Sequence, residues 1–189
     1  GLQIQEEYKV NVIVFSWPAK DPVLMGLKNF TNSRNMVEKG TENFVQFIYE
    51  LYQWKSDNVS VFSENNLSLF MHSLGNYYLE RIIADSLQGE INFKVFDNII
   101  INAAAVNEKD HYLWLEKINF SDNIFVNSNS NDVTLKGVRL FTDMDLQLGE
   151  KVEGEFASNA TYIEFNKAMG TENSFRTSHG YYAGVIPGQ

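Results

Sequence analysis

Residues 67–76 read L-S-L-F-M-H-S-L-G-N, and the rest of the chain is organised around this stretch. The apolar run at 67–70 is typical of a short buried strand, and a tight turn follows at 71–75. Residues 76–87 then carry apolar side chains at helical spacing. A strand, a sharp turn and a helix with Ser73 at the apex form the pattern of a nucleophile elbow, which exposes a serine hydroxyl at the C-terminal edge of a sheet.

The elbow motif is only partly matched. Gly75 supplies one of the small residues that let strand and helix approach closely, but Met71 stands where the G-x-S-x-G pattern has its first glycine. The structural alternative is a buried turn serine that caps a helix, a position where serine is a preferred residue. The preceding strand and following helix favour the nucleophile, because they are the context that the motif requires.

The composition bounds the class of protein. The chain has 189 residues, enough for a single domain spanning 1–189 with a sizeable core, and 44% of them are hydrophobic. A net charge of −9 opposes binding to phosphates, so no nucleic-acid partner is expected. The absence of cysteine excludes disulfides, thiolate nucleophiles and cysteine metal sites.

The sequence carries no sign of a membrane segment. No apolar run approaches the roughly 18 residues that a membrane span needs, so no membrane span is expected. No signal peptide is visible, but the N-terminus looks cut, so this absence carries little weight. A cytoplasmic location is slightly favoured, and export stays open.

Strand and helix patterns alternate along the chain. The run at 10–15 is β-branched and apolar on both faces, as in a buried parallel strand. Four further strands are predicted at 67–70, 98–103, 124–126 and 161–165. Helical patterns lie at 1–9, 33–52, 76–87 and 107–119, with a helix and turn at 133–149. This alternation predicts an α/β fold with a mostly parallel sheet and helices on both faces.

Three residues with complementary chemistry follow predicted strands. Ser73, Asp132 and His179 are of types that can serve as nucleophile, orienting acid and base. In a parallel sheet, sites form where the carboxyl ends of the strands meet, so these side chains are expected at one edge. Their order along the chain is Ser, then Asp, then His.

Four motifs carry a resemblance to a known family. They are V-I-V-F-S-W-P at 12–18, H-S-L-G-N at 72–76, S-N-D at 130–132 and H-G-Y-Y at 179–182. Together they resemble a bacterial group of α/β hydrolases of unknown function, in which a strand ends in F-S-W-P and the elbow usually reads A-H-S-M-G-N. The order Ser, Asp, His is that of the α/β-hydrolase superfamily. The resemblance covers nearly the whole chain.

The resemblance implies a role for each matching position. Ser73 would be the nucleophile, Asp132 the acid and His179 the base, with the backbone N–H of Leu74 as one oxyanion donor. The implied enzyme is a serine hydrolase that cleaves a small-molecule ester, thioester or amide through an acyl-enzyme, without a cofactor. The family's upstream H-G-x-N-like loop, which contributes the second oxyanion donor, has no match. The chain is therefore expected to lack N-terminal strands, with loss of half the oxyanion hole as the alternative. The alternative is a non-catalytic binding or structural module that keeps the triad as a relic.

Rival residues have plainer interpretations. His72 is interpreted as structural, since adjacent residues at a sharp turn point apart. His111 is a rival base, but it is expected to be a partly exposed helix residue. Asp143 and Asp145 are rival acids, and D-M-D is also typical of a solvated turn.

The remaining candidates concern ligands and partners. The run at 128–132 is rich in Asn and Asp, but it lacks the loop glycine and distal glutamate of an EF-hand, so no metal is expected. Trp17, Tyr181 and Tyr182 are candidates for lining a substrate pocket, with core or rim packing as the alternative. A bare apolar strand at 10–15 would invite pairing, so a homo-oligomer through this N-terminal edge is a further expectation.

Overall fold

The sheet is the centre of the fold. A computed structural model describes residues 2–18, 27–141, 145–166 and 178–180. Its four strands lie in the order of the sequence, and each adjacent pair is parallel. They are β1 (Ser68–His72), β2 (Phe96–Asn102), β3 (Ser121–Ser128) and β4 (Ala160–Glu164). The predicted α/β class with a parallel sheet is confirmed.

Six α-helices accompany the sheet in this part of the chain. They are α1 (Leu2–Tyr8), α2 (Leu27–Asp57), α3 (Val59–Phe62), α4 (Tyr77–Ala84), α5 (His111–Leu115) and α6 (Val133–Phe141). Two 3₁₀ turns lie at Ser73–Asn76 and Leu87–Glu90. Each predicted helical pattern contains a helix, although α2 extends beyond its predicted range at both ends.

The predicted strand at 10–15 is wrong. Residues 9–18 have no regular secondary structure, and β1 is the edge of the four-strand sheet on this side. Val14 is 65% exposed, whereas the ring of Phe15 lies 4.9 Å from that of Phe44 on α2. A run of high β-propensity becomes a strand only beside a strand that supplies backbone partners, and here aromatic packing anchors the segment instead. The oligomer expected through a strand at 10–15 loses its basis.

One face of the sheet is buried beneath α2, α4 and α5. Alternate side chains of a strand point to opposite faces, so Ile99 and Ile101 of β2 share a face with Ile124 and Val126 of β3. These four side chains are at most 4% exposed. Phe70 of β1, on the opposite face, is 39% exposed. The helix residues in this core cluster include Val37, Phe44, Ile48, Tyr78, Leu79, Ile82, Trp114 and Leu115.

A second, smaller cluster fixes the start of α6 near the end of β2. Ala103 and Ala105, which follow β2, pack with Leu135 of α6 and are partly covered by Phe30 of α2. Leu135 is fully buried. This packing brings the loop between β3 and α6 to the C-terminal edge of the sheet.

Candidate active site

Ser73 occupies a strained turn between β1 and α4. Its φ is 52°, in the left-handed region, whereas His72 before it is extended. A non-glycine residue there costs on the order of 1–3 kcal/mol and persists only where its surroundings impose it. The turn is held through the Ser73 carbonyl, which accepts hydrogen bonds from the Ala105 N–H at 3.2 Å and from the Asn76 amide at 2.9 Å. A strand, a turn residue of positive φ and a helix therefore follow one another here, as the sequence pattern predicted.

Asn76 stabilises the turn at Ser73, although no role was predicted for it. Its side chain is fully buried, and its amide also donates to the Asn102 carbonyl at the end of β2, at 3.2 Å. It therefore ties the turn to the neighbouring strand. Asparagine three positions after a candidate nucleophile was the available signal, since its amide can reach back to a turn carbonyl.

Gly75 is not required for a close approach of strand and helix. A Cβ atom at Gly75 would lie 3.5 Å from the ring of Trp17, which is an ordinary van der Waals distance. Trp17 itself packs edge-on against Tyr78, with ring centres 5.3 Å apart, and belongs to the border of the main core. Within the described residues, Trp17 therefore packs at the edge of the core, which was the alternative to lining a substrate pocket. Tyr181 and Tyr182 lie outside the described residues.

Asp132 is fully buried and uses its two carboxylate oxygens for different partners. Oδ1 accepts hydrogen bonds from the backbone N–H groups of Thr134 and Leu135, at 2.9 and 3.0 Å, and so caps α6. Oδ2 lies 2.6 Å from Nδ1 of His179. An imidazole that donates Nδ1–H to a carboxylate keeps its other nitrogen, Nε2, available to accept a proton.

Asn129 attaches the segment of His179 to the loop that carries the acid. Its side-chain amide donates to the Ser178 carbonyl at 2.9 Å, and its Oδ1 accepts from the Asn131 N–H at 3.0 Å. The Val133 N–H donates to the Ser178 hydroxyl at 3.3 Å. Asn129 is fully buried, so these bonds are shielded from water. The run at 128–132 is rich in asparagine, and its pattern alone does not distinguish Asn129 from its neighbours.

His72 lies beside His179, a contact that was not predicted from the sequence. The two imidazole rings have centres 4.7 Å apart and are tilted by 48°. Since His72 directly precedes Ser73, the contact brings the His179 ring to the end of β1 where Ser73 begins the turn. Burial, with a smaller effect of the adjacent His179, lowers the pKa of His72 to about 3. His72 is therefore neutral at pH 7.

The rival candidates for the base and the acid have structural partners, are exposed to solvent or lie outside the described residues. His111 is 1% exposed, which contradicts the expected partial exposure. Its Nδ1 lies 2.6 Å from the Glu108 carbonyl and its Nε2 lies 2.8 Å from the Tyr162 hydroxyl, so both ring nitrogens have structural partners. Asp145 is exposed, as expected of a solvated turn, and Asp143 lies outside the described residues.

The backbone N–H of Leu74 belongs to the 3₁₀ turn that leads into α4. Groups in a first helical turn have no intrahelical acceptor and carry the positive end of the helix dipole, which suits a developing oxyanion. Within the described ranges, no group of three or more His, Asp or Glu side chains could hold a metal ion. None of the helices in those ranges is long and apolar enough to cross a bilayer.

No family model, curated protein or solved structure matches the chain. The described residues form an α/β domain with a four-strand parallel sheet. The family suggested by the four sequence motifs stays a proposal.

Proposed function

We propose that this chain carries the active site of a serine hydrolase of the α/β-hydrolase type, which cleaves an ester, thioester or amide. The observation that carries the proposal is the 2.6 Å bond from Asp132 to His179, at the sheet edge where Ser73 has a φ of 52°. A strained serine at the same sheet edge as an imidazole that is oriented by a buried carboxylate supports the roles of nucleophile, base and orienting acid.

The proposed reaction begins with attack of the Ser73 hydroxyl oxygen on the substrate carbonyl carbon, while Nε2 of His179 takes the hydroxyl proton. The imidazolium that forms is stabilised by Asp132, and the oxyanion of the tetrahedral intermediate accepts a hydrogen bond from the Leu74 N–H. Collapse of the intermediate breaks the bond to the alcohol, thiol or amine, which leaves with the proton from His179. The acyl group stays on Ser73.

Deacylation repeats these steps with water in place of the serine hydroxyl. His179 removes a proton from the water as its oxygen attacks the acyl carbon, and then returns the proton to the Ser73 oxygen. The carboxylic acid leaves and the free enzyme is restored. Oδ1 of Asp132 accepts hydrogen bonds from the two α6 N–H groups in both half-reactions, so the carboxylate stays oriented towards His179.

The test is covalent labelling of the folded protein with a fluorophosphonate probe, followed by peptide mass spectrometry. An activated serine reacts readily with this probe, so we expect one adduct on Ser73 that is lost in Ser73→Ala. Ser68→Ala changes a serine at the opposite end of β1 and should keep the adduct. If a thermal melt shows that the protein is folded and the probe still does not label it, the proposed hydrolase activity is wrong. That result would favour the non-catalytic binding module.

A further inference from the structure

We propose that His72 is a positioning residue for His179, and that Asn102 and Asn127 hold it in one tautomer through a hydrogen-bond relay across three strands. This inference rests on the proposed function, because it assigns a role beside the proposed base. The three side chains of the inference received no catalytic role from the family that the sequence motifs resemble.

The relay connects three residues that are register partners on neighbouring strands, a set called a rung below. His72 of β1, Asn102 of β2 and Asn127 of β3 are in direct register. The Asn127 amide donates to Oδ1 of Asn102 at 3.3 Å, and the Asn102 amide nitrogen lies 3.3 Å from Nδ1 of His72. Asn102 is only 1% exposed. Since alternate residues of a strand share a face, the three side chains lie on the same side of the sheet.

The direction of the relay decides the tautomer of His72. Oδ1 of Asn102 accepts a hydrogen bond from the Asn127 NH₂, so the group that Asn102 presents to His72 is its own NH₂, which can only donate. Nδ1 of His72 must then accept and carries no proton. The lowered pKa keeps the ring neutral, and the bond from Asn102 then leaves its proton on Nε2.

A neutral ring in this place suits the proposed reaction. Asp132 bonds to one nitrogen of the His179 imidazole, Nδ1. The ring could still rotate about this hydrogen bond, so a second contact is needed to fix its orientation. The His72 ring, 4.7 Å away, supplies a packing surface. A protonated His72 would repel the imidazolium that forms on His179, whereas a neutral aromatic ring attracts a cation.

The sheet contains a matched control for the relay. Ser68, Asn98 and Asn123 form an equivalent rung on the same three strands, with bonds of 3.0 Å from Asn98 to Ser68 and 3.2 Å from Asn123 to Asn98. This rung precedes the first by four residues on each strand, or roughly 13 Å at about 3.3 Å per residue. It contains the same amide-to-amide bond but lies at the far end of the sheet from Ser73.

The experiment measures hydrolysis of a short activated ester by His72→Ala, His72→Phe, Asn102→Ala and Asn98→Ala. We expect kcat to fall about tenfold in His72→Ala and Asn102→Ala with KM within about twofold, because a misplaced base slows proton transfer in the chemical step and not substrate binding. His72→Phe keeps a ring against His179 and should retain kcat within about threefold. Asn98→Ala should keep the activity of the parent. An unchanged kcat in His72→Ala, or an equal loss in His72→Phe, would contradict the positioning role.

Nitrogen-15 NMR of the imidazoles tests the relay without reference to activity. Chemical shifts of His72 should report a proton on Nε2 in the parent and in Asn98→Ala, and a mixture of tautomers in Asn102→Ala. A proton on Nδ1 in the parent would overturn the relay. If the parent is neither labelled by the probe nor active, the proposed hydrolase is wrong, and the NMR result still decides whether the relay exists. A labelled, active parent with normal His72 variants would reject the positioning role alone.

Discussion

Asp132 and His179 are joined by a hydrogen bond of 2.6 Å although 47 residues separate them in the sequence. The same carboxylate caps α6 through its other oxygen, so one side chain sets both the start of a helix and the orientation of an imidazole. Different substitutions of Asp132 can separate its role as a helix cap from its role in orienting the imidazole. The reach from the imidazole to the Ser73 hydroxyl stays a prediction.

We expect Asp132→Asn to abolish most activity while the fold survives. Asparagine caps a helix about as well as aspartate, so the two bonds to α6 can be kept. The amide cannot act as the carboxylate does for the imidazolium, and the loss of kcat should be about 10⁴-fold. Asp132→Ala should lose the cap as well, with about 1 kcal/mol further loss in the free energy of unfolding. Urea denaturation and kinetics of both variants check this, and an active Asp132→Asn would contradict the triad.

The strain at Ser73 predicts a difference between two inactive variants. Ser73→Ala keeps a Cβ atom in the left-handed conformation, whereas Ser73→Gly removes the steric conflict. Glycine also has more entropy to lose on folding, so we expect Ser73→Gly to be more stable than Ser73→Ala by only about 1 kcal/mol. Denaturant midpoints measure this difference. A less stable glycine variant would show that the turn is not strained.

The lowered pKa of His72 predicts a loss of stability in acid. The folded protein keeps this ring neutral down to about pH 3, whereas the unfolded chain binds a proton near pH 6.5. The contribution of His72 to stability is therefore complete above pH 6.5 and declines by about 1.4 kcal/mol per pH unit towards pH 3. Urea midpoints between pH 7 and pH 4 should fall less steeply in His72→Phe than in the parent. If the urea midpoints of the two proteins fall in parallel with pH, the burial of His72 is contradicted.

Two glycines predict opposite effects of the same substitution. A Cβ atom at Gly149 would lie 2.2 Å from the backbone nitrogen of Ala104, so Gly149→Ala must displace the chain at the end of β2. We expect it to lower the free energy of unfolding by about 3 kcal/mol or more. Gly137 lies within α6 with open space around its Cβ position, and Gly137→Ala should stabilise by about 0.5–1 kcal/mol. Thermal melting of both variants checks the contrast.

Short-range patterns in the sequence predicted much of the sheet and the strand, turn and helix around Ser73. Four of the five predicted strands overlap β1 to β4, because runs of β-branched and apolar residues between turns need few distant partners to be recognised. The strand, turn and helix around Ser73 are equally local, since they depend on residues within ten positions. The pairing of Asp132 with His179 was predictable from their places after two strands of a parallel sheet.

Tertiary structure decided the features that depend on a distant neighbour. Residues 10–15 have the pattern of a strand, but a strand forms only against another strand, and the aromatic side chain of Phe15 packs on α2 instead. The burial of His111 and the contact of His72 with His179 depend on elements far away in the sequence. The relay through Asn102 and Asn127 depends on strand register, which is set by packing across the whole sheet, because a slip of one residue would turn these side chains to the other face.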